Sequence, residues 1–261
     1  MLATECNGHV LVVTLSRPPV NALDGALLTR FEAALDAAVA DPEITLLHVR
    51  SDCKAFCAGA DLALMRSCLD TPEGREAMID LVRRLQRLFA RFEQAAVVTL
   101  AEIGGAAMGG GLELALACDL RVAALDAKLG LPEARLGLLP AAGGTQRLTR
   151  LCGEGTSKRL ILGAEVIDGA EALRLGLVQW AAPREELPRF CEELAARVAA
   201  LPRAALGAAK RCIALGHDSP GDGFAAEMSA TRALSDEPET QRRVAQFLGK
   251  TRHEISAKEL P

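Results

Sequence analysis

Ala96 to Ala124 reads AVVTLAEIGGAAMGGGLELALACDLRVAA, and the order of residue types in this stretch sets the fold class. Apolar and β-branched residues from Ala96 to Ile103 predict a strand. The run GGAAMGGG, Gly104 to Gly111, breaks it. LELALACD then has helical composition, and Leu120 to Ala124 predicts a further short strand. Strand, glycine loop, helix and strand in succession form an α/β unit.

The same alternation extends outward. HVLVVTL, His9 to Leu15, predicts a strand that Arg17-Pro18-Pro19 ends, because proline cannot continue strand pairing. From the N-cap Asp24, Leu27, Leu28, Phe31, Leu35, Ala38 and Val39 recur at helical spacing and stop before Asp41-Pro42. Ile44 to Val49 predicts a second strand. SDCKAFCAGADL follows without periodicity, and Pro72 to Phe92 predicts a helix with Leu81, Leu85, Leu88 and Phe92 on one stripe. After Leu151 one strand is expected around Val178 to Trp180. Helices are expected at Glu185 to Leu201, Arg203 to Leu215, Phe224 to Leu234 and Glu239 to Gly249.

A chain of 261 residues suits one main domain with a smaller appendage. Its 50% hydrophobic and 25% charged residues are the balance of a globular protein, and a net charge of −4 gives no basic footprint for nucleic acid. The opening MLATECNGHV lacks a basic start and a long apolar run, so a cytoplasmic protein without a membrane span is expected. Cys6, Cys53, Cys57, Cys68, Cys118, Cys152, Cys191 and Cys212 show no CxxC spacing and read as reduced, packed thiols. Nothing near Cys53 and Cys57 completes a metal site, and none is expected.

Chemistry can sit at two small-residue loops that each follow a strand, FCAGADL at 56–62 and GGAAMGGGLE at 104–113. Glycine and alanine there let backbone N–H groups face a ligand, and a helix starting at Gly110 or Gly111 adds the positive end of its dipole. Together the loops can form an oxyanion hole. Either loop alone serves equally well as a turn or a close packing point. Neither GxGxxG nor GxxxxGK[ST] occurs, so dinucleotide and P-loop readings lack support. Glu113 and Glu133 both lie in apolar runs, where a carboxylate either points outward or is buried with a purpose. His9, His48, His217 and His253 stand in no motif and read as structural, and no GxSxG or HExxH starts a hydrolase mechanism.

The segments FCAGADL, GGAAMGGGLELALACDLRVAA and LGLPEARLGLLPAAGGTQRL, in that order and spacing, resemble the enoyl-CoA hydratase/isomerase (crotonase) family. RPPVNAL at 17–23 and RRVAQFLGK at 242–250 extend the resemblance over nearly the whole chain. It implies an α/β crotonase-like spiral of repeated ββα units with two roughly perpendicular sheets over residues 1–200. Residues 201–261 would be a helical region that builds homotrimers or dimers of trimers. The implied oxyanion hole uses the backbone N–H groups of Ala60 and Gly110. Hydratases of the family carry two glutamates that bracket one water, matched here by Glu113 as base and Glu133 as the acid that exchanges the α-proton.

Where many relatives have glycine after the proline, this chain has Ala141, whose N–H would help hold the water. Gly104-Gly105 stands where Asn-Gly is frequent. The substrate would be an acyl-CoA, with coenzyme A part of the substrate and no separate cofactor. Its adenine is expected near Ala58, Ala60 and Leu62, its pantetheine along Val20 to Ala22, and its phosphates near Lys54 and a neighbouring subunit's Lys250. The expected reaction is hydration of a 2-enoyl-CoA. The alternatives are a 3-enoyl to 2-enoyl isomerase, which needs one glutamate, and a non-catalytic acyl-CoA- or RNA-binding scaffold. Leu64 to Arg83, expected to shape the acyl pocket, carries no readable code for chain length.

Overall fold

The structure, a computed structural model, describes residues 1–59, 68, 71–215, 229, 233, 238–240 and 242. The chain divides into two compact units, Met1–Ala200 and Leu201–Pro261.

The first unit opens with a hairpin, β1 (Leu2–Asn7) and β2 (Val10–Leu15), turned at Gly8. After β2 come α1 (Gly25–Ala40), β3 (Leu46–Ser51), β4 (Ala55–Cys57) and α2 (Pro72–Gln94). Next are β5 (Val98–Ile103), β6 (Ala106–Met108), α3 (Gly110–Ala117), β7 (Leu120–Ala124), β8 (Lys128–Gly130) and a 3-10 turn, Pro132–Leu136. The unit ends with α4 (Gly144–Leu162), β9 (Val166–Asp168), α5 (Gly169–Arg174), β10 (Trp180–Ala182) and α6 (Leu187–Ala199). Among the described residues of the second unit, α7 (Arg203–Leu215) is its long helix.

Two sheets result. The larger runs β1-β2-β3-β5-β7-β10, parallel except for the β1–β2 hairpin. The smaller runs β4-β6-β8-β9, parallel except for β8–β9. Each pair β3/β4, β5/β6 and β7/β8 gives its first strand to the large sheet and its second to the small one before a helix returns the chain. That is the spiral of ββα turns expected from the resemblance. Asp24 caps α1 as expected, its carboxylate accepting from the Leu27 amide at 2.8 Å. Phe31 of α1 meets Phe92 of α2 edge-on, ring centroids 6.1 Å apart, and both rings are fully buried. Burial of each such ring contributes roughly 1.5–3 kcal/mol.

The differences from the sequence reading have physical causes. Strand β1 escapes it because all but Leu2 are exposed, so the strand carries no apolar pattern. Strands β4, β6, β8 and β9 have three residues each, too few to display a period of two, and β4 and β6 lie inside the segments read as loops. The expected strand at Val178 begins instead at Trp180, because the amides of Leu177 and Val178 still donate to Ala172 O at the end of α5. Helices α4 and α5 were also unread. The expected helices at 224–234 and 239–249 fall mostly outside the described residues.

Candidate active site

The small sheet positions the site. Because β4, β6 and β8 are parallel neighbours, their carboxyl ends lie side by side. They deliver the FCAG segment, the glycine run and the Glu133 segment to one place, where open α/β sheets present ligand sites. The Gly109 amide continues the ladder by donating to Gly130 O at 3.0 Å.

Strand β6 then turns into α3 at Gly109, whose φ of 52° suits glycine, and Gly110 is the first residue of the helix. A Cβ added at Gly111 would stand 1.9 Å from Cys57 O, so only glycine lets α3 approach β4 this closely. The two small-residue segments meet here: a Cβ at Gly59 would lie 3.5 Å from the Gly110 nitrogen. As the first amide of a helix, Gly110 N–H has no acceptor within its own helix and sits at the positive end of the dipole. Ala60, the expected second donor, lies outside the described residues, as do Leu62 and Lys250.

Segment 55–59 is held by the loop after β2. Ala58 N–H donates to Val20 O at 2.9 Å, and Leu23 N–H donates to Gly59 O at 2.8 Å. Buried Asn21 donates from Nδ2 to the carbonyls of Ala55 and Phe56 and to Ser51 Oγ, while its Oδ1 accepts from the Arg17 amide. The Val20 carbonyl is thus engaged by Ala58, and Ala22 O accepts from Arg17 Nη1 at 2.5 Å. Lys54 is exposed. Burial pushes the Cys57 thiol up to about 12, leaving it an inert packed group as read from sequence.

Both glutamates reach the start of α3. Glu113 is buried, 3% exposed, one turn into a helix whose other residues from Gly111 to Ala117 are also buried. Its Oε1 accepts from the Gly144 amide at 2.8 Å, and the Ala142 amide also donates to it. Burial pushes its carboxyl up to about 7; the Glu133 charge raises it, and the two amides and Arg147 oppose the rise. Glu133 sits in the 3-10 turn, where a Cβ added at Gly109 would lie 3.0 Å from its Oε1. Burial raises its carboxyl, and its Oε2 is buried without a hydrogen-bond partner.

The turn at 140–144 is braced from α2. Gln86 Nε2 donates to Ala141 O at 2.6 Å. Arg147 Nη1 donates to Ala142 O at 2.9 Å, while its Nη2 pairs with Glu93 at 2.6 Å. The amides of Ala142 and Gly144 hold Glu113, and the Ala141 carbonyl accepts from Gln86. Gln86, Glu93 and Arg147 were missed because their contacts join α2 to the 140–144 turn and α4, and no local pattern signals that. At the far end of α3, buried Arg121 donates to the carbonyls of Cys118 and Leu177.

Two coupled carboxyl groups beside an unpaired helix-start amide can hold and move a proton next to a polarised carbonyl. A family profile described as enoyl-CoA hydratase/isomerase matches residues 5–254. The chain belongs to the enoyl-CoA hydratase/isomerase family. A probable enoyl-CoA hydratase of Bacillus subtilis is 42% identical over 191 residues, covering 73% of this chain and 72% of the relative. A crotonyl-CoA hydratase of Syntrophomonas wolfei is 40% identical over 196 residues, covering 74% of each. In three dimensions the chain is similar to an enoyl-CoA hydratase of Bacillus anthracis, with a TM-score of 0.89, 32% identity, and 95% of this chain and 96% of that one covered. DspI of Pseudomonas aeruginosa superimposes with a TM-score of 0.89 at 37% identity, over 95% of this chain and 94% of that one. The two-sheet ββα architecture is therefore the crotonase fold of this family. No helix among the described residues is long and apolar enough to cross a membrane.

Proposed function

We propose that this chain is an enoyl-CoA hydratase, adding water across the 2,3 double bond of a 2-enoyl-CoA to give a 3-hydroxyacyl-CoA. The observation that supports it most is the presence of two carboxyl groups, Glu113 and Glu133, both raised by burial and both beside the first turn of α3. In this reading the thioester oxygen accepts from the N–H groups of Gly110 and Ala60. Charge collects on that oxygen as the β-carbon is attacked, and loss of one such donor costs about 2.7–4 kcal/mol in other enzymes.

The two amides present Glu113 as an acceptor, so it takes a proton from water while the oxygen bonds to the β-carbon. Glu133 carries the shared proton and gives it to the α-carbon. The turnover moves one proton from Glu133 to Glu113, and exchange with solvent restores the pair. The CoA moiety would run past Val20, Ala22 and Ala58, with Lys54 and a neighbouring copy's Lys250 at its phosphates. Residues 201–261 would assemble the trimer, alone or doubled.

One relative is named a crotonyl-CoA hydratase, so crotonyl-CoA is the first substrate to assay, by loss of its conjugated absorbance. Glu133→Gln is expected to lower kcat by about 10²–10⁴-fold, the usual worth of a general acid. Lack of turnover on every 2-enoyl chain length would remove the reading. The freedom of Glu133 Oε2, against the tethering of Glu113, favours a second reading as a 3-enoyl-CoA isomerase working through Glu133 alone. Under that reading Glu113→Gln would still convert 3-enoyl-CoA.

A further inference from the structure

Away from the glutamates, three chemistry-bearing side chains converge between the large sheet and α6. His48 projects from β3, Glu102 from β5 and Cys191 from α6; they are 1%, 7% and 0% exposed. One nitrogen, one oxygen and one sulfur, one from each residue, all lie within 4.8 Å of one another, which no other trio of His, Cys, Asp or Glu achieves among the described residues. His48 Nε2 and Glu102 Oε2 face each other at 2.9 Å, and no third group hydrogen-bonds to either atom. A buried nitrogen and oxygen that have only each other leave the rest of their bonding capacity unmet, which is uncommon in a packed interior.

We infer that His48, Glu102 and Cys191 form a binding site for a divalent cation of the zinc type, separate from the glutamate pair. Imidazole nitrogen, carboxylate oxygen and thiolate sulfur are the donors zinc takes, at bond lengths that set tetrahedral ligands roughly 3.3–3.6 Å apart. For that geometry the His48 and Glu102 atoms, 2.9 Å apart, must part by about half an ångström, and the sulfur, within 4.8 Å of both, must stand about 3.5 Å from each.

Charge balance favours it: a thiolate and a carboxylate neutralise a dication and leave no net charge buried. Binding forms a metal–sulfur bond, and the thiol proton leaves to solvent. A groove of 520 Å³ lined by Val10, Val12, Ala195, Ala199 and Glu192 meets the cluster at His48. Three protein ligands leave the fourth tetrahedral position to water. The ion would cross-link α6 to β3 and β5, a structural role independent of the reaction.

The test is cobalt(II) titration of the whole chain after chelation. One equivalent per chain should produce a thiolate-to-cobalt charge-transfer band and the strong visible bands of a four-coordinate ion. Zinc should bleach both. Cys191→Ser and His48→Gln should each weaken cobalt binding by at least about the 10–100-fold that loss of an outer-shell partner costs, while Cys53→Ser should not. X-ray absorption at the cobalt edge of the unmutated protein reads the ligand set even where a variant fails to fold, and sulfur together with imidazole is expected. A ligand set of oxygen and nitrogen only, no band at one equivalent, or a band that survives Cys191→Ser would overturn the site.

Discussion

Replacing Glu113 by glutamine should abolish hydration and at the same time stabilise the protein at alkaline pH. The carboxyl is 3% exposed, and burial lifts it from an ordinary 4.5 to about 7. The folded protein therefore binds this proton more tightly than the unfolded chain does. The stabilisation tied to it is fully present below pH 4.5 and is lost as pH rises through 7. At about 1.36 kcal/mol per pH unit the full loss is about 3 kcal/mol, most of it between pH 5 and pH 8. Glutamine keeps an oxygen for the Gly144 amide but has no charge to bury. Urea unfolding of both proteins at pH 5 and pH 8, at one protein concentration, measures the difference, in which the titrating groups not coupled to Glu113 cancel. The variant should gain on the parent by about 2–3 kcal/mol between the two pH values. An equal difference at both would mean that Glu113 ionises as freely in the folded protein as in the unfolded chain, and the coupled-carboxyl argument would fail with it.

The same group predicts an acid limb in kcat/KM on crotonyl-CoA, rising with pH through about 7 as Glu113 loses its proton; a limb near 4.5 would contradict the burial effect. Arg147→Met removes a positive charge that lowers Glu113, so the limb should move to higher pH, and an unmoved limb would show that Arg147 acts only on the turn. Gly111→Ala places a Cβ 1.9 Å from Cys57 O and should cost at least about 1–3 kcal/mol of stability, read as a lowered Tm. Asn21→Ala strips buried hydrogen bonds from segment 55–59 and should cost about 1–3 kcal/mol, with KM for the CoA ester raised as the segment loosens.

The residues by themselves carried the family, the strand–glycine–helix order and both glutamates, because each rests on local chemistry. Asp24 announces a helix start, a helical stripe announces α2, and a glycine run announces close backbone approach whatever surrounds it. Strand β1 and the three-residue strands were illegible, since an exposed edge has no apolar alternation and three residues cannot show a period.

Only the tertiary structure decided how each group behaves. Glu113 and Glu102 look alike in sequence, each a carboxylate set in an apolar run. The first follows the glycine loop in the chain itself, and packing against the 140–144 turn gives it the amides of Ala142 and Gly144. The pairing of β3 with β5 and the packing of α6 bring the second to His48 and Cys191. Burial and a neighbour's charge come from chain segments far apart in sequence, so no local window of residues contains them.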